Sequence, residues 1–209
     1  MKTSIRQTGI ALLTLVGFGI PGIGLAQSYS AESRIGHWYI GGGFGAYAEE
    51  DNPQMSSQDA GAAFFFSGGY RASPNIAVEA DALVWNQDFA APSTIPNAQG
   101  RSDLTSTGVS AVIKFIAPLK AVDLYAGGGL GFYATNLNVD VGSSGAEIDE
   151  TETDLGYQLL VGADVYISRK LTIGLEYRWL NLQTNFEPYI AGDLDAGGQF
   201  FLMNIRGSF

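Results

Sequence analysis

The side chains able to do chemistry in this chain fall two residues apart. Glu79 and Asp81 are so spaced, and so are Glu176 and Arg178. In an extended strand that interval puts both members on one face, where neighbouring strands supply ionic partners. No nucleophile and base converge anywhere in the sequence. The one histidine, His37, lacks a serine and an acid at triad spacing. It reads as an interfacial polar residue, and no catalytic residue is assigned. There is no cysteine, which excludes disulfides and thiol or Cys-zinc chemistry.

Two motifs look like ligand sites and lack the context for it. "GGGFGAY" (41–47) has the glycines of a phosphate loop, but that loop needs a strand before it and a helix after it. The near copy "GGGLGFY" (127–133) points to room for close backbone approach, or for a neighbour's bulk, within strands. "EIDETETD" (147–154) is acidic but lacks the glycine and regular oxygen spacing of a calcium loop. It reads as a solvated loop. No metal and no cofactor is expected.

Composition narrows the class. The 209 residues carry a net charge of −10, and charged residues make up only 15%, against roughly 25% in a soluble domain. The acidic balance argues against nucleic acid as a partner, because phosphate binding needs clustered bases. Lysine occurs only at 2, 114, 120 and 170. At the N-terminus, Lys2 and Arg6 precede an apolar run that ends at Ala26. A basic head, an apolar body and a small-residue end make residues 1–26 a secretory signal peptide. Its glycines and Pro21 make it a poor spanning helix. No later apolar stretch approaches the ~20 residues of a membrane helix.

The elements that must position the charges are strands. Eight segments have the composition and alternation of strands: 36–48, 60–72, 75–85, 104–117, 122–135, 154–168, 170–183 and 199–209. Tight turns at 73–74, 118–121 and 168–170 alternate with long connections at 49–59, 86–103, 136–153 and 184–198. In "LTIGLEYRWL" (171–180), Leu171, Ile173, Leu175, Tyr177 and Trp179 share one face, and Glu176 and Arg178 share the other. The row from Leu155 to Ile167 at alternate positions is apolar without a break. Water outside would bury these rows, as in a lipocalin-like barrel. Lipid outside would expose them and turn the charges inward. The scarcity of lysine and the sorting of long and short connections favour lipid. Glu79, Asp81, Lys114, Asp123, Asp164, Glu176, Arg178 and Arg206 then form a lumen ionic network, with Glu79–Lys114 and Glu176–Arg206 as the best-placed pairs.

With its leader, its two glycine strands, its loop rhythm and its terminal Phe209, residues 37–209 resemble the small eight-stranded outer-membrane β-barrels of the OmpA transmembrane-domain and OmpX type. The resemblance implies an all-β, eight-stranded antiparallel up-and-down transmembrane barrel in the outer membrane of a Gram-negative bacterium, with termini periplasmic. It makes 27–36 a short periplasmic segment. It makes Phe201, Met203, Ile205 and Phe209 the signal read by the barrel-assembly machinery, with Gly207 a weak member of that pattern. Outer-membrane lipid and lipopolysaccharide are the implied surroundings, and a surface ligand would meet the acidic loops. The role that follows is structural or surface-interactive, not enzymatic, with the lumen plugged by ionic side chains. The alternative is a narrow channel or small-molecule transporter.

Overall fold

The structure, a computed structural model, describes residues 35–48, 61–90, 101–141, 146–185 and 193–209. The strands are β1 (Trp38–Ala48), β2 (Gly61–Ser73), β3 (Ile76–Ala90), β4 (Arg101–Pro118), β5 (Val122–Val141), β6 (Ala146–Tyr166), β7 (Leu171–Asn181), β8 (Gln183–Asn185), β9 (Asp193–Asp195) and β10 (Gly198–Ser208). Eight of them close into a barrel in the order β1-β10-β7-β6-β5-β4-β3-β2, and β8 and β9 form a separate two-stranded sheet. Every barrel pair is antiparallel. The seam pairs Tyr39 with Ser208 and runs to Ala48 with Gln199. At its foot the Phe209 N–H donates to the Trp38 carbonyl at 3.0 Å. Closure leaves no strand edge without a partner, as a backbone in lipid requires.

The faces divide by lipid-out logic. Outward positions from the turns upward are apolar, as with Phe115, Ile113, Ala111 and Val109 on β4. Phe66 is 73% exposed, whereas Arg178 is fully buried. Polar outward residues begin at Asn86, Thr107, Asn136, Thr153, Asn181 and Gln199. Strand pairing sets several of these side by side, as Asn86↔Thr105 and Asn136↔Thr105 show. The change marks the upper edge of the hydrocarbon band. A charge placed inside that band would cost about 2–4 kcal/mol for Arg or Lys.

The long-connection end differs from the sequence expectation. Residues 136–153, read as a loop, are strand through Val141 and again from Ala146. The acidic "EIDETETD" segment therefore lies in β6 rather than in a loop. Likewise β3 runs to Ala90 and β4 starts at Arg101, inside the segment read as 86–103. These extensions stand above the band with water on their outer face. The apolar/polar alternation that marks a strand fades there, while the ladder to the neighbour continues. The segment read as 184–198 holds most of the β8–β9 pairing, which runs from Gln183↔Asp195 to Asn185↔Asp193. The leader expectation for 1–26 and most of the 27–36 segment lie outside the described residues.

The glycine strands make room for inward bulk. A Cβ on Gly43 would come within 2.6 Å of Phe65 Cε1, and one on Gly41 within 2.6 Å of Arg206 Cγ. In the second copy, a Cβ on Gly129 would meet Val112 Cγ2 at 2.8 Å.

Candidate functional site

The inward side chains form layers along the barrel axis. The middle layer is ionic. Lys114 Nζ on β4 lies 2.8 Å from Glu79 Oε1 on β3 and 3.2 Å from Glu176 Oε2 on β7. Arg178 on β7 reaches Glu176 Oε1 and Asp81 Oδ2, each at 2.7 Å. Arg206 on β10 meets Asp164 Oδ2 at 2.6 Å and Glu176 Oε2 at 3.2 Å. Glu176 thus faces three cations, and Tyr125 OH donates to it at 3.0 Å. Ser110 donates to Asp81, and Gln158 Nε2 donates to Ser110 Oγ at 2.6 Å. Burying charge is costly unless it is shared among partners, and here each cation touches at least two groups.

One of these contacts crosses the full lumen. Three strands separate β3 from β7 whichever way the circle is followed. The 2.7 Å contact between Asp81 and Arg178 is therefore a chord through the barrel axis. Arg178 also lies over the Phe65 ring, 5.5 Å from its centroid.

Toward the long connections the lumen turns apolar. Tyr47, Phe65, Leu83, Trp85, Tyr133 and Phe200 belong to one fully buried cluster. Ring centroids lie 4.9 Å apart for Tyr47–Phe200 and 5.9 Å apart for Trp85–Tyr133. The residues that join β8 and β9 to the barrel cover this layer. Leu182 and Ala196 join the cluster, and Tyr47 OH donates to the Gly197 carbonyl at 2.6 Å. Thr184 donates to Asp154, which ties β8 to β6.

Toward the short turns the lumen opens into a cavity of about 590 Å³. Arg71 on β2 pairs with Asp123 on β5, and Tyr166 OH donates to Asp123 Oδ2 at 2.7 Å. His37 is exposed at this mouth, and its carbonyl accepts the Arg71 N–H at 3.1 Å.

All eight residues of the expected ionic set point inward. Seven converge in the middle layer, and Asp123 sits lower with Arg71. Sequence reasoning missed Arg71, although it continues the inward row of Phe65, Ser67 and Gly69. It also missed the apolar layer, whose Leu83, Trp85 and Phe200 lie on the same inward rows as the charges. Phe201, Met203, Ile205 and Phe209 all face outward and are exposed. Among the described residues, no group of three or more metal-ligating side chains is present.

A family model described as the outer membrane protein beta-barrel domain matches residues 11–203. No curated protein matches the chain. Among solved structures, the chain is similar to the outer membrane protein OprG from Pseudomonas aeruginosa. Identity is 13% and the TM-score 0.63, over 84% of this chain and 97% of that one. Neisserial surface protein A is similar at 17% identity and TM-score 0.58, over 83% and 97%. Ail, the attachment invasion locus protein of Yersinia pestis, was solved in complex with the heparin analogue sucrose octasulfate. It is similar at 14% identity and TM-score 0.53, over 84% and 99%.

Proposed function

The chain belongs to the outer membrane protein β-barrel family and is a protein of the Gram-negative outer membrane; from that premise we propose that it is an occluded barrel with a structural or surface-interaction role. The observation that carries the reading is the Asp81–Arg178 chord, 2.7 Å long between opposite strands. An eight-stranded barrel is only wide enough for side chains to fill. An ionic layer crossing its axis, roofed by packed rings, supports a lumen closed to water. Among the described residues no nucleophile and base converge to support catalysis.

On this reading both termini are periplasmic, residues 1–26 are a cleaved leader, and 27–36 form a short periplasmic lead-in. Phe201, Met203, Ile205 and Phe209 present an exposed apolar row to the barrel-assembly machinery. The exposed belt meets membrane lipid and lipopolysaccharide, and the acidic outer end is where a surface ligand would dock.

Planar-bilayer recording of the full barrel tests the occlusion. Silence at physiological salt is the expected result. A steady current through the unmodified barrel would overturn it in favour of a narrow channel or transporter.

A further inference from the structure

The ionic layer that seals the lumen is also the ceiling of the cavity below it. At about 590 Å³, that cavity has the size of a small-molecule site. Five cationic side chains line it, Arg71, Lys114, Arg169, Lys170 and Arg206, against the carboxylates of Glu79, Asp123 and Asp164. Glu176, behind the ceiling, takes up part of the Lys114 and Arg206 charge. Of the five, Arg169 and Lys170 come to the mouth from the β6–β7 turn. The sign is opposite to that of the chain, whose net charge is −10. Five cations against four carboxylates, Glu176 included, leave one positive charge in excess, and a low-dielectric wall focuses its field on the cavity.

Arg71 and Arg206 are 6% and 5% exposed and line the cavity while already paired, Arg71 with Asp123 and Arg206 with Asp164 and Glu176. A guanidinium carries five N–H donors, so one that is paired can still donate to an oxyanion. Arg71, Arg206 and Lys170 approach from three different elements. A carboxylate offers two oxygens in one plane, whereas a tetrahedral phosphate offers oxygens to several walls at once.

We infer that this vestibule binds a phosphate-bearing anion, held by Arg71 and Arg206 on the wall and Lys170 at the mouth. Two sources share that chemistry. One is a soluble phosphate ester. The other is a phospholipid headgroup, because Trp38, Phe115 and Phe209 are exposed at the level of the mouth and mark the membrane interface. The inference rests on the family reading for the compartment it faces, and it does not need the lumen to be sealed.

The test is calorimetric titration of the refolded full barrel in zwitterionic micelles. The probes are inorganic phosphate, glycerol phosphate and dihexanoylphosphatidylglycerol. Saturable binding of at least one probe is expected. It should weaken tenfold or more in Lys170→Glu and stay unchanged in Arg101→Glu, at the opposite end of β4. Tighter binding of the lipid than of glycerol phosphate identifies a headgroup site, and equal binding identifies a soluble ligand. No saturable binding of any probe overturns the inference. So does binding indifferent to Lys170→Glu in a variant that keeps its heat-modifiable mobility, or an equal loss in Arg101→Glu. A barrel that conducts nothing and binds no phosphate loses this site and keeps its occlusion.

Discussion

Trp85 on β3 and Phe200 on β10 meet edge-on, with ring centroids 5.4 Å apart. Trp85 is four residues beyond Asp81 on the same inward row, about 13 Å along the strand. The ring contact therefore lies above the ionic chord, and on the occluded-barrel proposal the lumen has two seals in series.

Series seals predict a threshold. Trp85→Ala should cost about 3–5 kcal/mol of stability, the usual cost of emptying a buried aromatic site, and still pass no current. Arg178→Ala alone should likewise stay silent. The double variant should conduct. Current in either single variant, recorded in planar bilayers, would show that one layer alone closes the lumen.

Arg178→Leu should be the most damaging single change in the ionic layer. It strands Asp81 without its cation, while Glu176 keeps Lys114 and Arg206. Breaking a buried pair costs roughly 3–5 kcal/mol. Urea unfolding in detergent should show the loss, and restoring neutrality with Asp81→Asn in the same chain should recover part of it.

Lys114 and Glu79 should behave as a coupled pair. Their charged atoms are 2.8 Å apart, so Lys114→Ala and Glu79→Ala together should destabilise less than the sum of the two. Glu176 also contacts Lys114, at 3.2 Å, and so the relief should be partial. Strict additivity across the double-mutant cycle would deny the coupling.

Topology can be read from outside the cell. A tag inserted at Ser144, between β5 and β6, should be labelled on intact cells. A tag at Lys120, between β4 and β5, should be labelled only after the outer membrane is permeabilised. The reverse pattern would invert the barrel.

Within the membrane band the sequence is close to a map of the structure, because period two ties each side chain to lipid or lumen. Ile173 and Glu176 could be assigned to opposite faces from alternation alone. Above the band that constraint lapses. Asn136, Thr151 and Thr153 are polar on their water-facing side, so the strands they belong to carry no alternating signal. Inward residues were harder to rank than to place. Leu83 and Trp85 follow Glu79 and Asp81 on one row, and nothing local says that the row changes from ion pairing to ring packing. That change depends on Tyr47, Tyr133 and Phe200 arriving at the same height from other strands. Arg71 was hidden for a similar reason. Its partner Asp123 stands 52 residues away, across three strand intervals of the circle.

The seam hydrogen bond from Phe209 to Trp38 makes the two ends of the barrel neighbours. Geometrically the wall is a ring with one peptide link missing, and no strand in a ring is first. A circular permutant, joined across that gap and cut between β3 and β4, would possess every ladder of the parent. It would end in a different strand, without the aromatic terminus. On the proposal that the terminal aromatic row is the assembly signal, such a chain separates two properties that are fused in the parent: the information that shapes the cylinder, and the address by which the cell's insertion apparatus would pick it up.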